Sequence, residues 1–266
     1  MSLERTVLVG MFARFAAARL RALAAGAEDA LREWLECGTA PRLERARRAA
    51  DSALARLEGL HARCIALGAP QFPPALLDLR DPPALLFVRG AHIAQGGTAV
   101  VGTRTPSEAG AAMAYALAQR VAAPIVAGLA LGIDAAAHRG ALERGVATIA
   151  YVGHGLGATY PPEHRALEDA IAASSGAVIS ERPPGEPVTR WALVRRDRLQ
   201  AAHADACILV ETERYGGAMH TLRFAASLGR PRFALEPRAG DPRTNGNAKA
   251  IADGAGALGW DAPELP

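Results

Sequence analysis

The chain has 266 residues, half of them hydrophobic and 21% charged, with a formal net charge of +3. This is a globular composition with material for a large core, and it excludes a disordered chain. No run approaches the ~20 apolar residues of a membrane span. The cysteines Cys37, Cys64 and Cys207 are odd in number and too widely spaced for a zinc ligand set or a disulfide framework.

Residues 1–66 read as a helical N-terminal region. Leu20, Leu23, Leu31 and Trp34 keep near-helical spacing, and Pro41 opens a second segment with an apolar stripe of Leu54, Leu57 and Leu60. Its arginines could form a basic arm or an ordinary solvated face. Arg14, Arg19 and Arg21 interrupt the apolar N-terminus too early for a signal peptide, so a cytoplasmic protein is expected. From Gly68 the texture changes: proline-rich turns lead into a strand over Ala84–Arg89. Further strands are predicted at Thr98–Val101, Ile125–Val126, Ala147–Val152, Ala177–Ser180, Ala206–Glu211 and Arg232–Leu235. Helices are predicted at Pro106–Val121, Asp134–Arg144, Pro162–Ala173 and Ala218–Leu228, with a short one at Ala248–Ala252. This alternation predicts an α/β fold with a mostly parallel sheet over residues 67–260, followed by a tail at 261–266.

In open α/β sheets ligands bind where strands end and helices begin. Four such turns are rich in glycine. The first runs from Gly102 and Thr103 through Arg104 to Ser107, with Thr105, Pro106 and Glu108 forming a capping pattern. It suits either an anion at a helix N-terminus or a plain capped helix. The second, Gly128 to Gly132, leads into Asp134 and His138, an acid–base pair or a helix cap with a buried histidine. The third, Gly153 to Pro161, holds His154. In the fourth, a strand delivers Gly216 and Gly217 to a helix containing Thr221. Before it lie Arg190, Arg195, Arg196 and Arg198 around Trp191, a phosphate track with a stacking ring. Arginine carries nearly all the positive charge, and Lys249 is the single lysine. A guanidinium fork suits phosphate, although GC-rich coding produces the same bias. Neither a P-loop nor a dinucleotide fingerprint with a placed acid is present, and no serine has a positioned base.

Taken in order, these turns resemble the DprA/Smf family. The resemblance runs from Phe72-Pro73-Pro74 and Asp81-Pro82-Pro83 through Val101-Gly102-Thr103-Arg104, Ala127-Gly128-Leu129 to His138, and Tyr160-Pro161-Pro162-Glu163-His164. It continues through Ser180-Glu181-Arg182-Pro183 to Gly246-Asn247 and Asp253-Gly254-Ala255. It implies an extended Rossmann-like fold, single-stranded DNA binding without catalysis or a cofactor, homodimerisation, and help in loading a RecA-type recombinase. By position it implies that Arg104, Arg196 and Arg198 contact phosphates, with Thr103, Ser107 and Thr221 beside them. Gly102, Gly128, Gly132, Gly216 and Gly217 would let the backbone approach, and Asn247 and Lys249 would close the rim. Two departures add negative charge: Asp197 stands where the family has a neutral amide, and Glu236 where it has none. The fourth turn also resembles that of LOG-type phosphoribohydrolases, without their following glutamate. An enzyme acting on nucleoside monophosphates and a nucleotide-sensing module therefore remain as alternatives.

Overall fold

The computed structural model describes residues 2–27, 29–90 and 96–261; of the predicted tail, 262–266 lie outside the described residues. Nine strands form one sheet: β1 (Ala62–Ala66), β2 (Leu85–Gly90), β3 (Thr98–Val101), β4 (Ile125–Ala127), β5 (Thr148–Tyr151), β6 (Ala177–Ser180), β7 (Ala206–Leu209), β8 (Arg232–Leu235) and β9 (Gly256–Leu258). Their order is β1-β2-β6-β5-β4-β3-β7-β8-β9. Only the β1/β2 and β2/β6 pairings are antiparallel. The expected Rossmann-like, mostly parallel sheet is thus found, with two strands added. Strand β1 lies within the stretch read as helical, and β9 follows the last strand predicted.

The N-terminal helices are α1 (Leu3–Phe12), α2 (Ala17–Ala24), α3 (Asp29–Cys37) and α4 (Pro41–Gly59). Helix α4 buries Leu43, Ala46, Ala50, Ala53 and Leu57, a 3-4-3-4 spacing that turns one stripe inward. Alanine supplies most of that stripe, so a search for leucines finds only part of it. These side chains and Val7, Leu8 and Val9 join one core with Ile65 of β1 and Phe87 of β2. Burying a side chain of leucine size contributes about 1.5–3 kcal/mol.

The remaining helices are α5 (Glu108–Arg120), α6 (Ile133–Arg144), α7 (Arg165–Ala173), α8 (Arg190–His203), α9 (Ala218–Ser227) and α10 (Asn245–Ala252). Alternation along the strands sends side chains to both faces. Val100 and Ile208 pack with Leu117 of α5 and Ile133 of α6. On the other face Val101 and Leu209 meet Met219 and Leu222 of α9, while Ala99 and Cys207 meet Leu199 of α8. After β3 the chain adds β4, β5 and β6 on one side, then crosses back to place β7 on the other. The turns leaving β3 and β7 therefore diverge, which opens a crevice at the carboxyl ends of these two strands.

Candidate nucleic-acid interface

A cleft of about 580 Å³ occupies that crevice. One wall is the turn after β3, from Gly102 to Arg104; another is the turn after β7, with Gly216, Gly217 and Thr221; α8 supplies the third. Residues 190–203, which hold the arginine-rich stretch and were not among the predicted helices, are one helix. Thr189 caps it by accepting from the Ala192 N–H at 3.1 Å. Arg190, Leu193, Val194, Asp197 and Gln200 line the cleft at helical spacing, so one face of α8 is turned toward it. The opposite face carries Arg195 and Arg198.

That phase decides the arginines. Arg198 is 3% exposed, and its guanidinium pairs with Glu181 at 2.7 Å and Asp81 at 3.3 Å. Arg195 pairs with the same two carboxylates. This quartet fastens α8 to the segments after β6 and before β2, and Arg198 does not line the cleft. Arg196 does line it, as part of the floor. It is 6% exposed, donates to the Tyr151 carbonyl at 2.9 Å, and pairs with Asp197 at 3.0 Å and more loosely with Asp134 at 3.9 Å. A methyl group on Gly128 would lie 1.2 Å from Arg196 Nη1, so Gly128 makes room for this guanidinium.

Two of the four glycine turns are already filled by the chain's own carboxylates. Ser107, not Thr105, caps α5, accepting from Gly110 N–H at 2.9 Å. The Ser107 N–H and hydroxyl both donate to Glu211, which is 0% exposed and also faces Arg238 at 3.6 Å. A buried anion therefore sits at the α5 N-terminus, where a phosphate was expected. At the second turn the Asp134 carboxylate accepts from the Gly128 N–H at 3.0 Å and the Ala130 N–H at 3.3 Å. It closes the turn before its helix; the α6 N-cap itself is Gly132. Gly132 has φ +79°, and a Cβ there would strike the Thr103 carbonyl at 2.4 Å, so glycine permits this crossing of two turns. Gly102 is likewise packed against Ile133 and the Glu211 carbonyl. These glycines serve turn-to-turn packing and arginine burial.

The turn after β7 is different. The N-terminal turn of α9 contains no acidic residue, Gly217 has open space beside it, and both it and Gly216 line the cleft. Asn247 braces this turn from behind rather than closing a rim. Fully buried, it accepts from Thr212 N–H at 3.1 Å and donates to the carbonyls of Val210 (2.8 Å) and Leu235 (3.0 Å). Lys249 pairs with Asp253 at 2.7 Å and does not line the cleft. Arg104 and Arg190 are exposed cleft residues, and among the described residues neither pairs with a carboxylate. Large apolar side chains gather at the mouth: Tyr160, Val194 and Tyr215 line it, with Tyr215 90% exposed. Leu131 flanks them, whereas the exposed Trp191 lines no part of the cleft and is stacked by Arg195 at 5.0 Å. Tyr160 and Tyr215 were not among the expected site residues; each stands beside a proline or glycine turn whose backbone carried the reading.

His138 and His154 lie away from acid–base work. His138 is fully buried against Thr148 at 2.7 Å, and burial, then the nearby cations, pulls it down to about 3. It stays neutral near pH 7, and its Nδ1 is engaged by Thr148 and not by Asp134. His154 is buried against Glu168 at 3.3 Å. Of the two acidic departures, Glu236 does not line the cleft, whereas Asp197 does. Burial, with Asp134 adding repulsion, pushes Asp197 up to about 7 despite Arg196 and Arg104.

A model of the family described as DNA recombination-mediator protein A matches residues 63–263. Protein Smf of Escherichia coli is 33% identical over 216 residues, covering 79% of this chain and 57% of its own length. The DNA processing protein DprA of Bacillus subtilis is 30% identical, covering 76% of this chain and 69% of its own. The chain thus spans between about half and two thirds of the length of these relatives. Among solved structures, DprA from Streptococcus pneumoniae superposes with a TM-score of 0.75 at 25% identity, covering 100% of this chain and 94% of that one. The structure of DprA from Helicobacter pylori, described for its single-stranded DNA binding mode, gives 0.67 at 27% identity, covering 74% and 92%. The family model and these relatives together show that the chain belongs to the DNA recombination-mediator protein A family, that of DprA and Smf.

Proposed function

We propose that the cleft binds single-stranded DNA and that the chain serves DNA uptake or recombination without catalysing a reaction. One observation carries this: the exposed cleft cations Arg104 and Arg190, which make no ion pair among the described residues, stand with the open α9 N-terminus beside exposed Tyr160 and Tyr215. Cations that track a backbone next to rings on which bases stack form a single-strand binding surface. The H. pylori relative, described as binding single-stranded DNA, supports the same ligand. In this proposal the protein is cytoplasmic, pairs with a second copy of itself and hands the strand to a RecA-type recombinase. The contact set is Arg104, Thr103, Gly216, Gly217 and Thr221, with Arg196 acting from the floor.

The test is retention of fluorescent oligo-dT across a salt series. Affinity should fall steeply with salt, and Arg104→Ala should weaken binding about tenfold and flatten the log–log slope by about 0.7. Failure to retain oligo-dT at low salt would sink the proposal. The cleft's volume also suits a single nucleotide. Calorimetry with AMP, together with an assay for released base, separates that outcome from strand binding.

A further inference from the structure

On the cleft floor two carboxyl groups share one guanidinium. Arg196 lies between two carboxylates, Asp197 at 3.0 Å and Asp134 at 3.9 Å. Asp134 is held by two backbone N–H groups and belongs to the turn. Asp197 has one charged partner, is 8% exposed and lines the cleft. Any phosphate entering beside Arg104 must approach this second carboxylate, in a site where water screens little. We propose that Asp197 couples ligand binding to the uptake of one proton: the anionic ligand seats with Asp197 neutral, and the proton comes from solvent. The proposal rests on the cleft being an anion site and adds to it a regulation by pH.

The charged groups that face Asp197 act on it in both directions. On its own helix, Arg196 is buried and shared with Asp134. From the turn after β3, Arg104 draws the carboxyl down, and from α6, Asp134, itself held above the usual carboxylate range by burial, pushes it up. The turn after β7 contributes Glu213 and His220 to the same cleft, and Arg190 lies at its mouth. Burial is the largest influence and leaves Asp197 titrating at about 7. An arriving phosphate adds repulsion and moves the midpoint higher. His220 is shifted below its ordinary value by burial and by Arg223, so it gains its charge at lower pH than Asp197 loses its own.

If only the neutral form admits the ligand, affinity scales with the neutral fraction, which changes about tenfold between pH 8 and pH 6. The experiment measures oligo-dT affinity of the full chain at pH 6, 7 and 8 at fixed ionic strength, for the wild type and Asp197→Asn. Wild-type affinity should rise about tenfold toward pH 6, and Asp197→Asn should hold the pH 6 value throughout. Parallel profiles for the two proteins would overturn the coupling. The second readout is the Asp197 carboxyl carbon followed by NMR in the wild type, which also serves if the variant fails to fold. Its midpoint should lie near neutrality and move up on ligand addition. If neither protein binds oligo-dT at any pH, the single-strand proposal fails by itself. The carboxyl titration is then repeated with inorganic pyrophosphate. An upward move supports the proton coupling, and an unmoved midpoint overturns it.

Discussion

The turns after β3 and after β7 are built from the same kinds of residue, yet one is closed and the other open. Both bring glycine and hydroxyl side chains from a buried strand to a helix start. At α5 the exposed N–H groups meet Glu211, a carboxylate from the chain itself; at α9 there is no such anion. The arginines divide in the same way. Arg198 is used up by Glu181 and Asp81, while Arg104 stands free at the cleft. A glycine-rich strand-to-helix turn therefore reports tight crossing of the backbone, and only the charges that come to face it decide whether a ligand has room there.

The sharpest way to break this contrast is to remove a closed charge. Arg198→Ala leaves Glu181 and Asp81 sharing Arg195 alone, and should cost about 3–5 kcal/mol in urea unfolding. Oligonucleotide affinity of the fraction still folded should change little; a selective loss of affinity without loss of stability would return Arg198 to the binding surface. Glu211→Gln removes the buried anion from the α5 N-terminus and leaves Arg238 without its partner. The expected cost is about 2–3 kcal/mol by the same measurement. An unchanged midpoint would mean that the α5 N-terminus does not need its internal anion.

Asp197→Asn probes the boundary between the two regions. The native carboxyl titrates at about 7, above its ordinary value of 3.8. Between these values the folded chain holds a proton that the unfolded chain has released, so this group makes stability fall as pH rises through that window. The amide has no charge to bury, so the variant should melt several degrees higher at pH 8, with the gain vanishing by about pH 4. An equal Tm difference at both pH values would contradict this. On the open side, Arg104→Ala should weaken oligo-dT binding about tenfold while leaving the Tm within a degree or two, since the side chain is exposed. The smallest effect belongs to Lys249→Ala. Its exposed pair with Asp253 contributes about 0.5 kcal/mol or less, and its distance from the cleft predicts unaltered affinity.

Much of this was legible along the chain. Apart from α8, the order of strands and helices from Thr98 to Leu235 follows from apolar runs alternating with helical patterns, and the series of turn motifs pointed to the family. Less legible were β1 and β9. The first lies directly after a long helix, and the second is three residues of Gly-Ala-Leu, too short and too small to carry a strand pattern. Helix α8 was hidden by its arginines, because charge density drew attention away from the spacing of Leu193, Val194 and Gln200.

Sequence alone determined the sheet, the turns at its carboxyl ends, and the residue types able to hold phosphate, because these depend on local period, capping and backbone freedom. Tertiary structure decided which of those residues remain available. Glu211 meets Ser107 across 104 positions, and Asp81 meets Arg198 across 117. A carboxylate that neutralises a turn or an arginine can come from anywhere in the chain, and a charge is free for a ligand only where folding brings no such partner.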